Sequence, residues 1–393
     1  MHIALMARGG MQWLGGSQYI KNLARALTSL PSDERGELQV SVIVTSGFDI
    51  GHFADIQDVV KVMDCESLMA PMTFSNRIRW RLRRATGGTL NPRMEDFLND
   101  QRVDFVYPAR VRRNWTSKMR FAEWIPDFQY DYFPDGSNPL EIAERKSDNL
   151  FVTSSMPRIV LSSKTAESDC IRLFPAATGK TFVFRFRISP PNLGDPARVD
   201  CFCKEFHIPE RFFLVSNMFA PTKNHSVIFD ALGKLATEGC RPIVVLTGNI
   251  HDYRNPDFAS TIFHGIHRNG VNDQIRLLGV VDKADQVNLM RRAVAIIQPS
   301  LFEGWSTIVE EARCLERPLI VSDLPIHREQ DMPGAMYFDP NSSHELANIL
   351  RSTWKDLPSG PDLASEQRGR MKYEQLVIDS ARIFLRLARG EIK

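Results

Sequence analysis

The 393-residue sequence lacks an excess of charge of either sign: 49 Lys and Arg stand against 47 Asp and Glu, a formal net charge of +2. Such a balance offers no bulk attraction to nucleic acid, which is excluded as a partner on that ground. Long hydrophobic runs are also missing, and no segment approaches the ~20 apolar residues of a membrane-spanning helix. The opening MHIALMARGG contains Arg8 and no apolar core with a small-residue cleavage site, so it does not read as a signal peptide. The six cysteines, at 65, 170, 201, 203, 240 and 314, form neither a disulfide ladder nor a paired CxxC pattern. Cys201 and Cys203 supply at most half a metal site, and the expected compartment is the reducing cytoplasm. Short repeats and low-complexity segments are absent. What remains is ordinary soluble-enzyme composition, 43% hydrophobic and 24% charged, at a length of two to three typical domains.

The second half of the chain is the more legible. Short apolar, β-branched runs occur at Phe212–Asn217, Pro242–Gly248, Gln274–Val281, Val294–Ser300 and Pro318–Asp323. Segments of helical period, Ser226–Leu235, Asp285–Ala293 and Ser306–Leu315, fall between them. Apolar strands alternating with helices predict a parallel sheet covered on both faces. The first half repeats the scheme, with strands at His2–Ala7, Gln39–Thr45, Val103–Tyr107, Ile159–Ser162 and Thr181–Ile188. A helix over Ser17–Leu30 has Tyr19, Ile20, Leu23, Ala24 and Leu27 on one face. Three prolines and a glycine break the pattern at Ser189–Val199, and a long polar helix is expected over Leu363–Gly390. The expectation is an α/β protein of two doubly wound, Rossmann-like domains facing a central cleft. Residues 1–190 form the first, with the C-terminal helix from 370 to 393 added to it, and residues 191–370 the second. Ligands of open α/β sheets lie at the carboxyl ends of the strands, so the loops after strands are where chemistry is sought.

One such loop carries the strongest constellation, QPSLFEGWSTIVEE at Gln298–Glu311. A strand ends at Pro299-Ser300, a loop follows, and a helix opens near Ser306, with Ser306 or Thr307 able to cap it and Glu310 in its first turns. The free amides and positive dipole end of such a helix suit an anion. Glu303 precedes the helix and Glu311 lies about one and a half turns into it, so two carboxylates flank the anion site and can accept hydrogen bonds from ligand hydroxyls. The plainer alternative is a loop-capping Glu303 and a solvated Glu311.

Glu303 and Glu311, eight apart, resemble the E-x7-E motif of the retaining, GT4-like glycosyltransferases with the GT-B fold. Three further segments support the resemblance. Trp13–Tyr19 (WLGGSQY) is similar to the glycine-rich donor-phosphate loop of that group. Ser216–Asn224 (SNMFAPTKN) resembles its diphosphate-binding strand end, and Trp124–Gln129 (WIPDFQ) its acceptor-side loop. The first domain would then bind the acceptor and the second the donor.

The resemblance implies a role for each matching position. Glu311 would hold the donor ribose hydroxyls and Glu303 those of the transferred sugar. Backbone amides of Gly304, Trp305, Ser306 and Thr307 would meet the diphosphate or the sugar. Lys223 would neutralise the departing diphosphate, and Gly15 and Gly16 would let the backbone of the other domain approach it. The base would sit against Gly248 and the strand end from Leu278 to Val280. These groups also make chemical sense, because breaking the bond to phosphate builds negative charge on the nucleotide, which fixed N–H groups and a lysine stabilise.

Two positions depart from the group. Its usual arginine six residues before the lysine is Asn217, so one diphosphate cation is missing or comes from elsewhere, with Arg8, Arg185 and Arg187 as candidates. Its usual histidine after the PDFQ-like segment is Tyr130, a poor base near neutral pH. Asp127 remains as the acceptor-side base, with a simple turn residue as the alternative. Asp-x-Asp, the pair that bridges a divalent ion to diphosphate, is absent, so neither a metal nor any other cofactor is expected. The transferred group is expected to be a glucose- or mannose-type hexose, carried by UDP or, as the alternative, GDP. The acceptor would be a glycan or lipid-linked glycan in surface or extracellular polysaccharide synthesis. A dehydrogenase is excluded because no GxGxxG follows the first strand; a catalytically silent sugar-nucleotide binder stays as the rival class. The basic run Arg77–Arg84 (RIRWRLRR), with Arg110, Arg112 and Arg113, suits either an anionic inner membrane surface or a solvated segment. His264 and His267 lack metal-ligating companions and read as surface residues.

Overall fold

The computed structural model describes residues 1–10, 14–45, 49–69, 92–109, 119–134, 138–193, 195–251, 255 and 257–392. The basic run Arg77–Arg84, the trio Arg110, Arg112 and Arg113, and Trp13 lie outside them. The chain divides into two units. Met1–Phe128, Ala143–Ser189 and Gln375–Lys393 make the first; Gln129–Ile142 and Pro190–Glu374 make the second. The segment Gln129–Ile142 thus goes with the second unit although it lies within residues 1–190.

In the first unit the strands are β1 (His2–Met6), β2 (Gln39–Val44), β3 (Lys61–Asp64), β4 (Phe105–Tyr107), β5 (Arg120–Phe121), β6 (Glu123–Ile125), β7 (Ile159–Leu161) and β8 (Thr181–Val183). They pair in parallel in the orders β3-β2-β1-β4-β5 and β6-β7-β8. Only Ala122 separates β5 from β6. Its amide donates to the Val106 carbonyl at 3.4 Å and its own carbonyl accepts from Ala109 at 2.9 Å, so the two ladders are consecutive stretches of one extended segment. The helix Leu14–Thr28 buries Tyr19, Ile20, Leu23, Ala24 and Leu27, the face expected from their spacing. It starts three residues earlier than its period suggested, so Gly15 and Gly16 occupy its first turn rather than a loop. Ser17 fixes that start: its hydroxyl donates to the Arg8 carbonyl at 3.0 Å and accepts from the Gly10 amide at 3.3 Å. The last turns of the helix Leu363–Arg389 complete this unit, with Phe384 against Phe105, Tyr107 and Phe184 and with Arg382 paired to Glu34.

In the second unit the strands are β9 (Phe213–Ser216), β10 (Val244–Thr247), β11 (Ile275–Gly279), β12 (Ile296–Gln298), β13 (Leu319–Ser322) and β14 (Met336–Phe338). All pair in parallel, in the order β11-β10-β9-β12-β13-β14. Both faces are covered, because neighbouring apolar residues on one strand enter different cores. Phe213, Val215, Val244, Leu246, Ile297 and Ile320 face the core closed by the helix His225–Thr237, whereas Leu214, Val245, Ile296, Leu319 and Val321 face the one closed by Lys283–Arg292 and Thr307–Cys314. The chain builds outward from β9 through β10 to β11 and then returns to lay β12 on the other side of β9. That reversal puts a switch point between β9 and β12. The break at Ser189–Val199 ends earlier than expected, because Asp195 caps a helix over Pro196–Glu205, its side chain accepting from the Ala197 amide at 2.9 Å.

Candidate active site

The loops after β9 and β12 flank the switch point and are laced together by backbone. Beyond the end of β9, the Asn217 amide donates to the Thr247 carbonyl at 3.1 Å and the Phe219 amide to that of Asn249 at 2.9 Å. Gly248 sits against this extension at φ +137°, and a Cβ placed on it would lie 2.0 Å from the Asn217 carbonyl oxygen. After a single 3-10 turn, Pro221–Lys223, Asn224 takes the left-handed conformation at φ 52°. Its side-chain amide donates to the carbonyls of Pro299 at 3.2 Å and Pro340 at 2.8 Å. The Leu301 amide donates to the Thr222 carbonyl at 2.8 Å. Lys223 is thereby brought to the loop that carries Glu303.

One carboxylate oxygen of Glu303 is saturated. Its Oε1 accepts from Lys223 Nζ at 2.6 Å, Gln298 Nε2 at 2.7 Å and Ser300 Oγ at 2.7 Å. Among the described residues no group donates to Oε2, although the side chain is only 9% exposed. Burial by itself would raise the pKa of this group. The charge and hydrogen bond of Lys223, with the Ser300 hydroxyl adding to them, instead hold its pKa below the usual carboxylate range. Gln298 is oriented in turn by Asn217, whose Nδ2 donates to Gln298 Oε1 at 2.9 Å. The network therefore joins Asn217, Gln298, Glu303 and Lys223 across the switch point. Asn217 brings no charge to it; its contribution is to aim Gln298.

His327 completes the floor. Ser300 accepts at its carbonyl from Ser322 Oγ at 2.6 Å, and His327 Nδ1 donates to the Ser322 carbonyl at 2.8 Å. That bond places the imidazole proton on Nδ1. Burial lowers the His327 pKa, which keeps the ring neutral, against an opposing pull from the Glu303 charge.

The helix Thr307–Cys314 opens directly behind this loop. Ser306 holds the N-cap position in extended conformation, yet its side chain makes no capping hydrogen bond. Gln330 grips the Ser306 backbone instead, donating to its carbonyl at 2.9 Å and accepting from its amide at 3.4 Å. Trp305 is buried, while Gly304 and Thr307 are half-buried. First-turn amides without a side-chain cap, at the positive end of the helix dipole, suit an anionic group. Glu310 is a structural residue: its two oxygens accept from Gln330 Nε2 at 3.1 Å and from the Tyr373 hydroxyl at 2.9 Å.

Glu311 belongs to a second polar network that the sequence did not announce. Neither solvated nor free, it is buried and paired through Oε1 with Lys283, while its Oε2 is buried without a hydrogen-bond partner. Lys283 also donates to Gln286 Oε1 at 2.9 Å; Gln286 Nε2 donates to Ser216 Oγ at 2.5 Å, which accepts from Thr247 Oγ1 at 2.9 Å. These residues sit at the ends of β9 and β10 and on the helix after β11, beside Gly248. Val280 is 74% exposed beyond β11, whereas Leu278 packs against the core rather than standing open at the strand end.

The remaining expected residues lie in the first unit. Gly15 is exposed and Gly16 buried in the opening turn of their helix, and Asp127 is half-buried in the segment after β6. Arg8 is engaged by the buried Glu123, donating to both carboxylate oxygens at 3.0 Å. Tyr130 is buried in the short helix Gln129–Tyr132 of the second unit. His264 and His267 are exposed on the helix Phe258–Arg268. Among the described residues, no group of three or more His, Cys, Asp or Glu is placed to hold a metal ion, and no helix is long and apolar enough to cross a membrane. Gln298, Ser300, Gln286, Lys283 and His327 escaped sequence reasoning. The first two stand within the E-x7-E neighbourhood and the others carry no local signal.

Two parallel doubly wound sheets, with this constellation at a switch point, define the GT-B class of glycosyltransferase folds. HepE of Anabaena, solved with UDP and glucose, aligns with a TM-score of 0.67 over 99% of this chain and 100% of its own at 15% identity. A Rickettsia africae glycosyltransferase gives 0.67 over 99% and 98%, also at 15%. WaaG, a glycosyltransferase of lipopolysaccharide biosynthesis, gives 0.56 over 97% and 95% at 12%. At such identities the likeness is one of fold. Residues 204–372 match the glycosyl transferases group 1 family. The O-antigen chain mannosyltransferase RfbU of Salmonella typhimurium is 26% identical over 144 residues, 36% of this chain and 38% of that protein, so the match spans well under half of either.

Proposed function

We propose that the protein is a retaining glycosyltransferase that moves a glucose- or mannose-type hexose from a nucleotide sugar to a glycan or lipid-linked glycan. UDP is the favoured carrier and GDP-mannose the alternative. The observation that carries this reading is Glu303, whose Oε1 is held by three donors while Oε2 is left to accept sugar hydroxyls in front of an uncapped helix N-terminus. The relatives agree in chemistry: HepE is seen with UDP and glucose, and RfbU is an O-antigen chain mannosyltransferase.

Each group then has a task. Lys223, with the amides of Gly304, Trp305 and Thr307, receives the charge that accumulates on the leaving diphosphate as the bond from the anomeric carbon to phosphate oxygen breaks. Glu311 accepts from the ribose hydroxyls, and the base lies towards Gly248 and Val280. The acceptor hydroxyl attacks from the side on which the diphosphate departs, and a phosphate oxygen takes its proton; Asp127 assists on the acceptor side. Charge neutralisation is assigned to Lys223 and the amides rather than to a metal. Peripheral contact with an anionic membrane surface is assigned to Arg77–Arg84.

A silent sugar-nucleotide binder is the second reading, favoured by the neutral Asn217 where the group has an arginine. Calorimetric titration with UDP, GDP and ADP, with and without EDTA, followed by turnover of the matching nucleotide sugars, separates the two. Selective binding unchanged by chelation, together with turnover, supports the metal-free transferase. Binding without turnover of any donor supports the silent reading.

A further inference from the structure

We propose that Lys283 is a positioning residue for the nucleotide ribose, orienting Glu311 so that one defined carboxylate oxygen faces the sugar hydroxyls. The inference rests on the reading that Glu311 takes those hydroxyls. The helix Thr307–Cys314 fixes the Glu311 backbone, but a glutamate side chain has several rotamers and can present either oxygen or turn to solvent. Here Oε1 is held by the Lys283 ammonium, and Oε2 is buried with no hydrogen-bond partner. A buried carboxylate oxygen without a donor is rare, because it has surrendered water and gained nothing in exchange. A vicinal diol supplies the donors that this oxygen lacks.

Lys283 suits the task because it is itself triangulated. It is the first residue of a helix capped by Asp282, whose Oδ1 accepts from the Asp285 amide at 2.8 Å. Its ammonium also donates to Gln286 Oε1 at 2.9 Å, and Gln286 is anchored through Ser216 to the end of β9. The orientation of Glu311 is thus referred back to the rigid strand ends beside Gly248. The Lys283 side chain is 59% exposed against 6% for Glu311, so replacing the lysine removes the clamp without opening a core.

The test is calorimetry on the full chain with UDP and GDP and with their 2′,3′-dideoxy forms. Wild-type protein should prefer the ribonucleotide at least about tenfold, the effect of hydrogen bonds to a charged group. Lys283→Met should bring that preference to threefold or less by weakening the ribonucleotide alone, and Lys283→Arg should restore it. An equal loss for both nucleotide forms, or a preference left intact by Lys283→Met, overturns the proposal. Glu311→Ala tells the two layers apart. If it abolishes the preference while Lys283→Met does not, only the positioning role fails; if it leaves the preference intact, the ribose reading fails as well.

Discussion

Gly248→Ala should be among the most damaging single substitutions in the second unit. At φ +137° an alanine is strained by about 1–3 kcal/mol. Its Cβ would also lie 2.0 Å from the Asn217 carbonyl oxygen and 2.5 Å from the carbonyl carbon. Those atoms are backbone, so no side-chain rotation relieves the clash; β9 and β10 must part at their ends by more than an ångström. Overpacking of that kind adds about 1–3 kcal/mol. The sum, about 2–6 kcal/mol, is a large share of a domain's ordinary stability. Gly279 is the control, also at positive φ, +71°, but with nothing within 4 Å of its Cβ position. Gly279→Ala should lose only about 1–2 kcal/mol, the backbone contribution alone. Urea denaturation of the two variants measures the difference. Equal destabilisation would refute the argument, since it would mean that contact with the Asn217 backbone contributes nothing. Because Asn217 aims Gln298 at Glu303, any Gly248→Ala protein that folds should also lose transfer.

Other outcomes follow from the same geometry. Glu303→Ala should abolish sugar transfer while nucleotide binding stays measurable by calorimetry, whereas Glu311→Ala should weaken nucleotide binding itself; equal nucleotide affinity in wild type and Glu311→Ala would sink the ribose assignment. His225 lies stacked on Phe219 with both ring nitrogens unpartnered, and burial, reinforced by the Lys223 charge, lowers its pKa from 6.5 to about 3. The folded protein holds this ring neutral, so between pH 6.5 and about 3 the unfolded chain binds the extra proton and stability falls with pH. Relative to His225→Phe, wild type should lose about 2 kcal/mol on going from pH 6.5 to 5, and parallel pH curves would exclude the effect. Tyr373→Phe, which removes the 2.9 Å hydrogen bond to the Glu310 carboxylate, should destabilise by about 1–3 kcal/mol with no change in donor affinity.

Much of this protein is legible in local pattern. Apolar runs alternating with helical periods announced β1, β2, β4 and β7 to β13, because a strand buried on both faces must be continuously apolar. β3, β5, β6 and β14 were missed: each is four residues or fewer, and none lies in a continuous run of β-branched residues like those that mark β7 and β12. The helix after Asp195-Pro196 had an N-cap and first-turn signature that the neighbouring prolines obscured. Residue by residue, Lys223, Glu303 and Glu311 stood out because they fall after strands and around a helix start, where side chains and amides converge on a ligand. By itself, then, the sequence determined the doubly wound architecture and the residues available to an anion and a polyol.

Only the tertiary structure decided how those residues are used. Strand order set β9 beside β12, and so brought Asn217 to Gln298 across 81 positions of chain. It gave Glu303 a neighbour from its own loop, Ser300, another from the end of β12, Gln298, and a third, Lys223, from 80 positions away, and it gave Glu311 a lysine 28 positions distant. It also made Gly248 indispensable through a backbone met only in the folded sheet. Partnerships of this kind depend on register and strand order, and no period or spacing along the chain encodes them.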